Sequence, residues 1–317
     1  MHALLLDGEG GASHYPWENV SGWSSDEGLL WLHFDYQDEQ ARSWIIERSG
    51  LSDIAWNSLL TDETRPRAVS RGNLLLMALR GVNLTPGSEP DDMVSIRIWT
   101  DGTRIISTRR RSLSSTDDVR EQLEAGLGPR DIASLLVTWI DRIVWHMSDT
   151  VDKLEDEVAR LEAAVLSGDL EGLRSELASL RKQTIVIRRY LGPQREALNR
   201  LYGEQLDWID ELNRLRLREV ADRQIRHLED IDAVRERAAM AQEELLSRVS
   251  EQMNARTYVL TVVAAIFLPL GFFTGLMGVN VGGMPGLEEE NAFWILVGLC
   301  VAVTAGLAIL FRYRRWF

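Results

Sequence analysis

Two stretches near the end of the sequence carry no charge, and few folds can house them. No Asp, Glu, Lys, Arg or His occurs between Arg256 and Glu288, nor between Glu290 and Arg312. The second stretch, Asn291–Phe311, is 21 residues long, and about 20 apolar residues suffice to cross a bilayer as a helix. The first is longer than a span needs, so its tail supplies both the end of a helix and part of a loop. Gly278-Val279-Asn280 lies at that exit. An amide side chain where a membrane helix meets water suits a hydrated cation.

The flanks give an orientation. Arg248 and Arg256 precede the first span, and Arg312, Arg314 and Arg315 follow the second. The connecting loop carries Glu288, Glu289 and Glu290 and no base. Basic residues stay on the cytoplasmic side, so both termini are expected inside and the loop outside. The N-terminal run Ala3-Leu4-Leu5-Leu6 ends at Asp7 and lacks a basic start, unlike a secretory signal. The large N-terminal part is therefore expected in the cytoplasm.

A net charge of -13 argues against nucleic acid as a partner and favours cations. The mean hydropathy of -0.14 averages a polar body with an apolar tail. One cysteine, Cys300, excludes a disulfide framework or a thiolate metal site within one chain. The sequence offers no phosphate-binding loop, no nucleophile elbow and no paired catalytic acids, so neither an enzyme nor a bound cofactor is expected.

The first 110 or so residues read as mixed α/β. Leu29–Asp35 alternates as a strand; Gln37–Ser49 and Asp53–Leu60 read as short helices; Arg67–Leu79 and Met93–Arg109 read as strand material. Asp101-Gly102 is a hairpin turn signal. Most of the 11 Trp lie in this soluble part, where core packing explains them best.

After Ser114 the pattern turns helical. Asp117 and Asp118 suit the start of a helix, where acids complement the dipole. Leu136, Ile140, Ile143, Met147, Val151, Leu154, Val158, Leu161 and Val165 step by three and four, as in a heptad seam. Ser167-Gly168-Asp169 ends that helix. A second runs to about Leu191, where Gly192-Pro193 marks a kink or break. A third begins near Glu204, with Leu217, Val220, Leu228, Ile231, Val234, Ala238, Leu245 and Val249 on its stripe. It meets no Pro or Gly before Leu268 and so runs on into the first span. An ordinary coiled coil explains such heptads but not their continuation into a bilayer.

The expected organisation is a cytoplasmic α/β domain over 1–115, a long-helix region over 116–203 and a stalk helix over 204–256. The first span follows over 257–280, the outer loop over 281–290, the second span over 291–311 and a basic tail over 312–317. Two pairs, His146 with Asp149 and His227 with Asp230, lie one helical turn apart. Either can join a cytoplasmic metal site, since imidazole suits zinc; an ordinary core or surface histidine is the simpler reading. His2, His14 and His33 have no assigned role.

The segment Ala265-Ile266-Phe267-Leu268-Pro269-Leu270-Gly271-Phe272-Phe273-Thr274-Gly275-Leu276-Met277-Gly278-Val279-Asn280 resembles the first transmembrane helix of the CorA metal-transporter superfamily. The family motif is usually Gly-Met-Asn after Tyr; here Val279 stands for the Met and Met277 for the Tyr. Gly-Val-Asn followed by Val281-Gly282-Gly283-Met284-Pro285-Gly286 resembles the ZntB branch of zinc transporters. The ending Arg312-Tyr313-Arg314-Arg315-Trp316-Phe317 resembles the family's basic, aromatic C-terminus. The match is close over the spans and architectural elsewhere.

The resemblance implies a homopentamer in the bacterial inner membrane, with a cytoplasmic funnel and one pore lined by five first spans. It implies Zn²⁺ as transported ion, with proton-coupled uptake as the suggested direction and efflux as the other; Mg²⁺, Co²⁺ or Ni²⁺ is the alternative cargo. Partners are then lipid, divalent ions and copies of the chain itself. Stepping back from Asn280 at helical spacing gives Gly275, Gly271, Leu268, Ala264, Leu260, Thr257, Met253, Ser250, Leu246 and Glu243. Small residues allow close helix approach; Leu268 and Leu260 form apolar rings that gate by dewetting; Thr257 and Ser250 offer hydroxyls, and Glu243 a carboxylate ring.

Five Asn280 amides make a neutral ring able to hydrogen-bond a hydrated ion, although Asn also suits a helix C-cap. Without Cys, His or carboxylate in the spans, no tetrahedral zinc cage can form there. Glu288, Glu289 and Glu290 would gather cations at the outer mouth, or simply form a solvated loop. A rival of another class is a membrane-anchored coiled-coil scaffold, which needs neither Asn280 nor a polar stripe.

Overall fold

A computed structural model describes residues 2–62, 65–168, 172–279 and 290–313. The chain divides into two compact units, Met1–Glu243 and Glu244–Phe317.

The first unit holds a seven-stranded sheet. Its strands are β1 (His2–Leu6), β2 (Ala12–His14), β3 (Leu29–Asp35), β4 (Arg67–Arg71), β5 (Leu74–Val82), β6 (Met93–Thr100) and β7 (Arg104–Arg109). Their spatial order is β2-β1-β3-β7-β6-β5-β4. All neighbours are antiparallel except β3 and β7, which pair Leu30 with Arg104 and Asp35 with Arg109 in parallel. The sheet is thus mixed, and its central strands are covered on both faces, as their continuous apolar runs require.

Helices α1 (Glu39–Glu47) and α2 (Asp53–Leu60) cover one face. There Leu30, Leu32, Phe34, Ile45, Leu59 and Ile106 form one core. The other face meets α3 (Ser114–Glu124), the upper part of α4 (Ile132–Ser167), the end of α5 (Leu173–Gly203) and the start of α6 (Glu211–Met277). Trp31, Met77, Ile96, Leu136, Trp139, Leu198 and Leu217 belong to that second core. Trp31, Trp44, Trp99 and Trp139 are all buried, so core packing does account for the most enclosed indoles.

Beyond the sheet, α4, α5 and α6 continue as a helical stalk. Each heptad position from Leu136 to Val165 is buried. The Asp131 carboxylate starts α4 by accepting from Ser134 N at 2.7 Å, and Gly168 ends it at φ +87°, in the left-handed region glycine tolerates. Arg237 binds Glu162 through Nε at 3.0 Å and Nη2 at 2.6 Å, tying α6 to α4. Arg223 and Asp141 make a second tie at 2.7 Å.

Four details differ from the sequence expectation. Arg67–Leu79 is not one strand: Gly72, at φ +58°, turns β4 into β5 so that Arg71 pairs with Leu74. Helix α5 does not break at Gly192-Pro193 but runs to Gly203, because Leu191 and Leu198 on either side are buried. The third long helix starts at Glu211 rather than near Glu204. Trp208 Nε1 donates to Asn73 O at 2.8 Å, holding 204–210 against the hairpin, and Asp210 Oδ1 then accepts from Asn213 N at 2.8 Å. Finally, Val249 is exposed, unlike the rest of its stripe.

Candidate functional site

Backbone polar groups within a bilayer must be satisfied inside the segment, which leaves the α-helix as the way for a single segment to cross. Among the described residues two helices are long and apolar enough: α6, whose most apolar window has a mean hydropathy of 2.2, and α7 (Ala292–Tyr313), at 2.5. Almost nothing in either window is buried, which sets them apart from the core helices of a soluble domain. Thr261 Oγ1 donates to Thr257 O at 2.8 Å and Thr274 Oγ1 to Leu270 O at 2.9 Å, so these hydroxyls are met within the helix. Pro269 lacks an N–H, yet α6 continues past it to Met277.

Each span has one sheltered stripe. On α6 it comprises Tyr258, Val262, Ala265, Ile266, Pro269, Leu270 and Phe273, and on α7 Leu296, Cys300, Val303, Thr304, Leu307 and Phe311. The stripe expected to line a pore lies on a different face of α6. Glu243, Leu246, Ser250, Met253, Thr257, Leu260, Leu268, Gly271 and Gly275 are all exposed, and only Ala264 is half-buried. Leu260 and Leu268 are 70% and 71% exposed. A methyl group built on Gly271 or Gly275 would meet nothing within 4 Å. The protomer's own packing therefore does not explain why these residues are glycine.

Helix α6 closes at the motif itself. Gly278 N donates to Thr274 O at 3.0 Å and to Gly275 O at 3.1 Å, and Val279 is exposed. Asn280, Glu288 and Glu289 lie outside the described residues; Glu290 is an exposed turn residue just before α7. At the far ends of the spans stand aromatic side chains: Trp294 beside Phe293 at the start of α7 and Tyr313 at its end, all exposed. Aromatic residues favour the membrane–water boundary.

The histidine of each pair has a polar neighbour on another helix. His146 Nε2 lies 2.7 Å from Asp118 Oδ2 of α3 rather than bonding within its own helix. His227 is buried against α4, with Nε2 3.3 Å from Ser148 Oγ. Burial lowers its pKa, and Asp230 only partly offsets this. Among the described residues no group of three or more His, Cys, Asp and Glu side chains is placed to hold a metal ion. Sequence reasoning passed over Arg97, the one charged residue of β6, where every residue is buried. A lone cation in an otherwise uncharged strand was the available signal.

Comparison with known proteins agrees with this architecture. Residues 26–315 match the family described as CorA-like Mg²⁺ transporter protein. The zinc transport protein ZntB of Pectobacterium carotovorum subsp. carotovorum is 36% identical over 316 residues, covering 100% of this chain and 95% of that protein. The divalent cation transporter CmaX of Pseudomonas aeruginosa is 37% identical over 325 residues, covering 100% and 96%. The structure of full-length CmaX superposes with a TM-score of 0.87 at 34% identity, over 100% of this chain and 98% of the other. The chain therefore belongs to the CorA-like Mg²⁺ transporter family, on its ZntB side.

Proposed function

We propose that the chain moves hydrated zinc across a membrane through a pore lined by α6 in a ring of five copies, with Gly278-Val279-Asn280 as its selective outer mouth. Membership of the family makes it a divalent-cation transporter of the CorA/ZntB type; cargo, path and assembly are the matter of the proposal. The observation that carries the path is the exposed face of α6. It combines glycines, hydroxyls and spaced leucines that the protomer leaves uncovered. Zinc as cargo rests on the likeness to zinc transport proteins and on the Gly-Val-Asn variant of the motif.

In this reading the amide ring orders the water shell of the ion instead of replacing it, since stripping a divalent ion is unfavourable. Both termini are cytoplasmic. An interior negative by about 100 mV favours entry by about 2.3 kcal/mol per charge, or about 4.6 for a divalent ion, so uptake is the downhill direction. Any coupled proton binds at the Glu243 ring or the loop glutamates, because the spans hold no other acid or base.

The test is zinc entry into liposomes holding a zinc-sensitive dye, with excess Mg²⁺ as competitor, for the native chain and for Asn280→Ala. Entry that survives Mg²⁺ and drops at least tenfold in the variant supports the proposal. Entry abolished by Mg²⁺ makes Mg²⁺ the cargo, as the family description suggests. Unchanged entry in Asn280→Ala removes the amide ring from the mechanism. No entry in either chain favours the scaffold.

A further inference from the structure

Along the stalk, arginines find acids. Arg248 is held by Glu244 at 2.6 Å, one turn back, and Arg235 by Asp232 at 3.5 Å. Arg223 and Arg237 reach across to α4. Where the helices meet the apolar stretches this pairing stops. Arg256 of α6 and Arg312 of α7 are exposed and make no ion pair among the described residues. On a helix, the neighbours three and four residues away are the ones within reach. Around Arg256 these are Gln252, Met253, Val259 and Leu260. Before Arg312, in the last turn of α7, they are Ala308 and Ile309, and the sequence beyond it holds no acid. The chain has 48 acidic and 35 basic residues, so a shortage of acids does not explain the gap. Water satisfies a lone arginine on a soluble surface. These two stand at the ends of membrane spans, where lipid headgroups surround them.

Both arginines belong to one boundary. Consecutive spans cross in opposite directions, so the start of the first and the end of the second emerge on the same side. From each arginine an apolar helix face continues into the bilayer. Val263 and Phe267 lie on the face of Arg256, and Ile309 and Val301 on the face of Arg312; all four are exposed. Neither face coincides with the sheltered stripe of its helix. Tyr313, next to Arg312, is exposed as well, and its ring suits the membrane–water boundary. The opposite boundary has the reverse sign. Exposed Glu290 precedes α7, and no base lies between Arg256 and Arg312.

We propose that Arg256 and Arg312 bind the phosphodiester of anionic phospholipids in the leaflet on the side of the chain termini, with acyl chains along the apolar faces that continue from them. A planar guanidinium matches two phosphate oxygens with paired, charge-assisted hydrogen bonds. Basic residues beside a span are drawn to an anionic leaflet, and here no acid of the chain competes with the lipid for them. The headgroup recognised is one without an amine. In a zwitterionic lipid the headgroup's own ammonium cancels the phosphate charge. Soluble phosphate lacks the chains that the apolar faces would cover. The inference rests on α6 and α7 lying in a membrane, and not on the cargo or the number of chains in the ring.

Full-length protein in detergent micelles is titrated with phosphatidylglycerol or with phosphatidylcholine of the same acyl chains, at constant ionic strength. Native mass spectrometry counts the bound lipid. Phosphatidylglycerol should half-saturate at a concentration about tenfold or more below that of phosphatidylcholine. Arg256→Gln and Arg312→Gln should each raise its midpoint about fivefold and leave that of phosphatidylcholine in place. Arg226→Gln is the control. Arg226 is an exposed stalk arginine with Asp222 and Asp230 one turn to either side. Its loss changes the net charge equally and should not move the midpoint. Equal affinity of the native chain for the two lipids overturns the proposal, as does an unchanged midpoint in the double variant of Arg256 and Arg312. An equal loss in Arg226→Gln overturns it too, because net charge then accounts for the preference. The readout is lipid binding, so it stands whether or not the protein moves zinc.

Discussion

His2 and His33 face each other across β1 and β3, with their rings stacked 4.9 Å apart. Burial, joined by the chain terminus, Arg120, Arg109 and His14, lowers the His2 pKa to about 4, and burial holds His33 well below 6.5. Trp31 and Trp139 pack against the pair, and Asp117 lines the small cavity beside it. Both histidines are therefore neutral in the folded state. The unfolded chain takes up protons near pH 6.5 and the folded chain does not, so stability is full above about pH 6.5 and lost as pH falls toward 4. For His2 the fall from the ordinary 6.5 to about 4 corresponds to about 3 kcal/mol. Denaturant unfolding of the full-length protein at pH 7 and pH 4.5 should show this loss, and His2→Gln should reduce it. An equal loss in the variant would remove His2 as its source. Gly102 makes a second residue-scale prediction. It sits at φ +91°, and an added Cβ would lie 2.5 Å from Trp208 Cδ1. Gly102→Ala should cost about 2 kcal/mol in the same assay, with a shift in indole fluorescence as Trp208 is displaced.

At the scale of elements, the stalk separates packing from charge. Leu161 is 0% exposed on α4, and Leu161→Ala should destabilise by about 3 kcal/mol. Its neighbour Glu162 holds Arg237 of α6, but both side chains are about a third exposed. Glu162→Gln should cost about 1 kcal/mol or less, and the difference should shrink as salt is raised. Comparable losses for the two would mean that the stalk is held by charge. The heptad in α4 was legible because its information is local: a three-four spacing has one physical meaning on a helix. The β6–β7 hairpin was legible at Asp101-Gly102 for the same reason. The β4–β5 turn was missed although Gly72-Asn73 is also a hairpin signal, since strand-like residues flank it without interruption. What stayed hidden is long-range. His146 finds Asp118 on α3 instead of Asp149, Trp208 delays the start of α6 by docking on Asn73, and Arg97 finds the Asp62 carbonyl and the Tyr36 ring.

For the whole molecule, the question is what covers the open face of α6. Exposed leucines alone do not answer it, because lipid tails receive Leu260 and Leu268 as readily as another helix would. The glycines discriminate. Gly271 and Gly275 stand one turn apart with free space beside them, and small residues at that spacing let helix backbones approach closely. Lipid gains nothing from a glycine, whereas a neighbouring helix does. The proposed ring of five therefore predicts that Gly275→Leu, which holds the protomer fold but fills the groove, converts a species of five chains into smaller ones and abolishes zinc entry. Val263→Leu serves as the control, because Val263 is exposed on α6 but lies roughly a quarter-turn away from the stripe. Native mass spectrometry from detergent gives the count of chains, and liposome flux gives the function. Assembly and flux lost together in Gly275→Leu, with both kept in Val263→Leu, tie the pore to this face. Assembly kept but flux lost places the glycine in the conduit and not in the contact between copies. If both survive, the conduit runs along another face of the helix; two or three chains in the native protein would instead favour a scaffold, in which the exposed stripe meets only lipid.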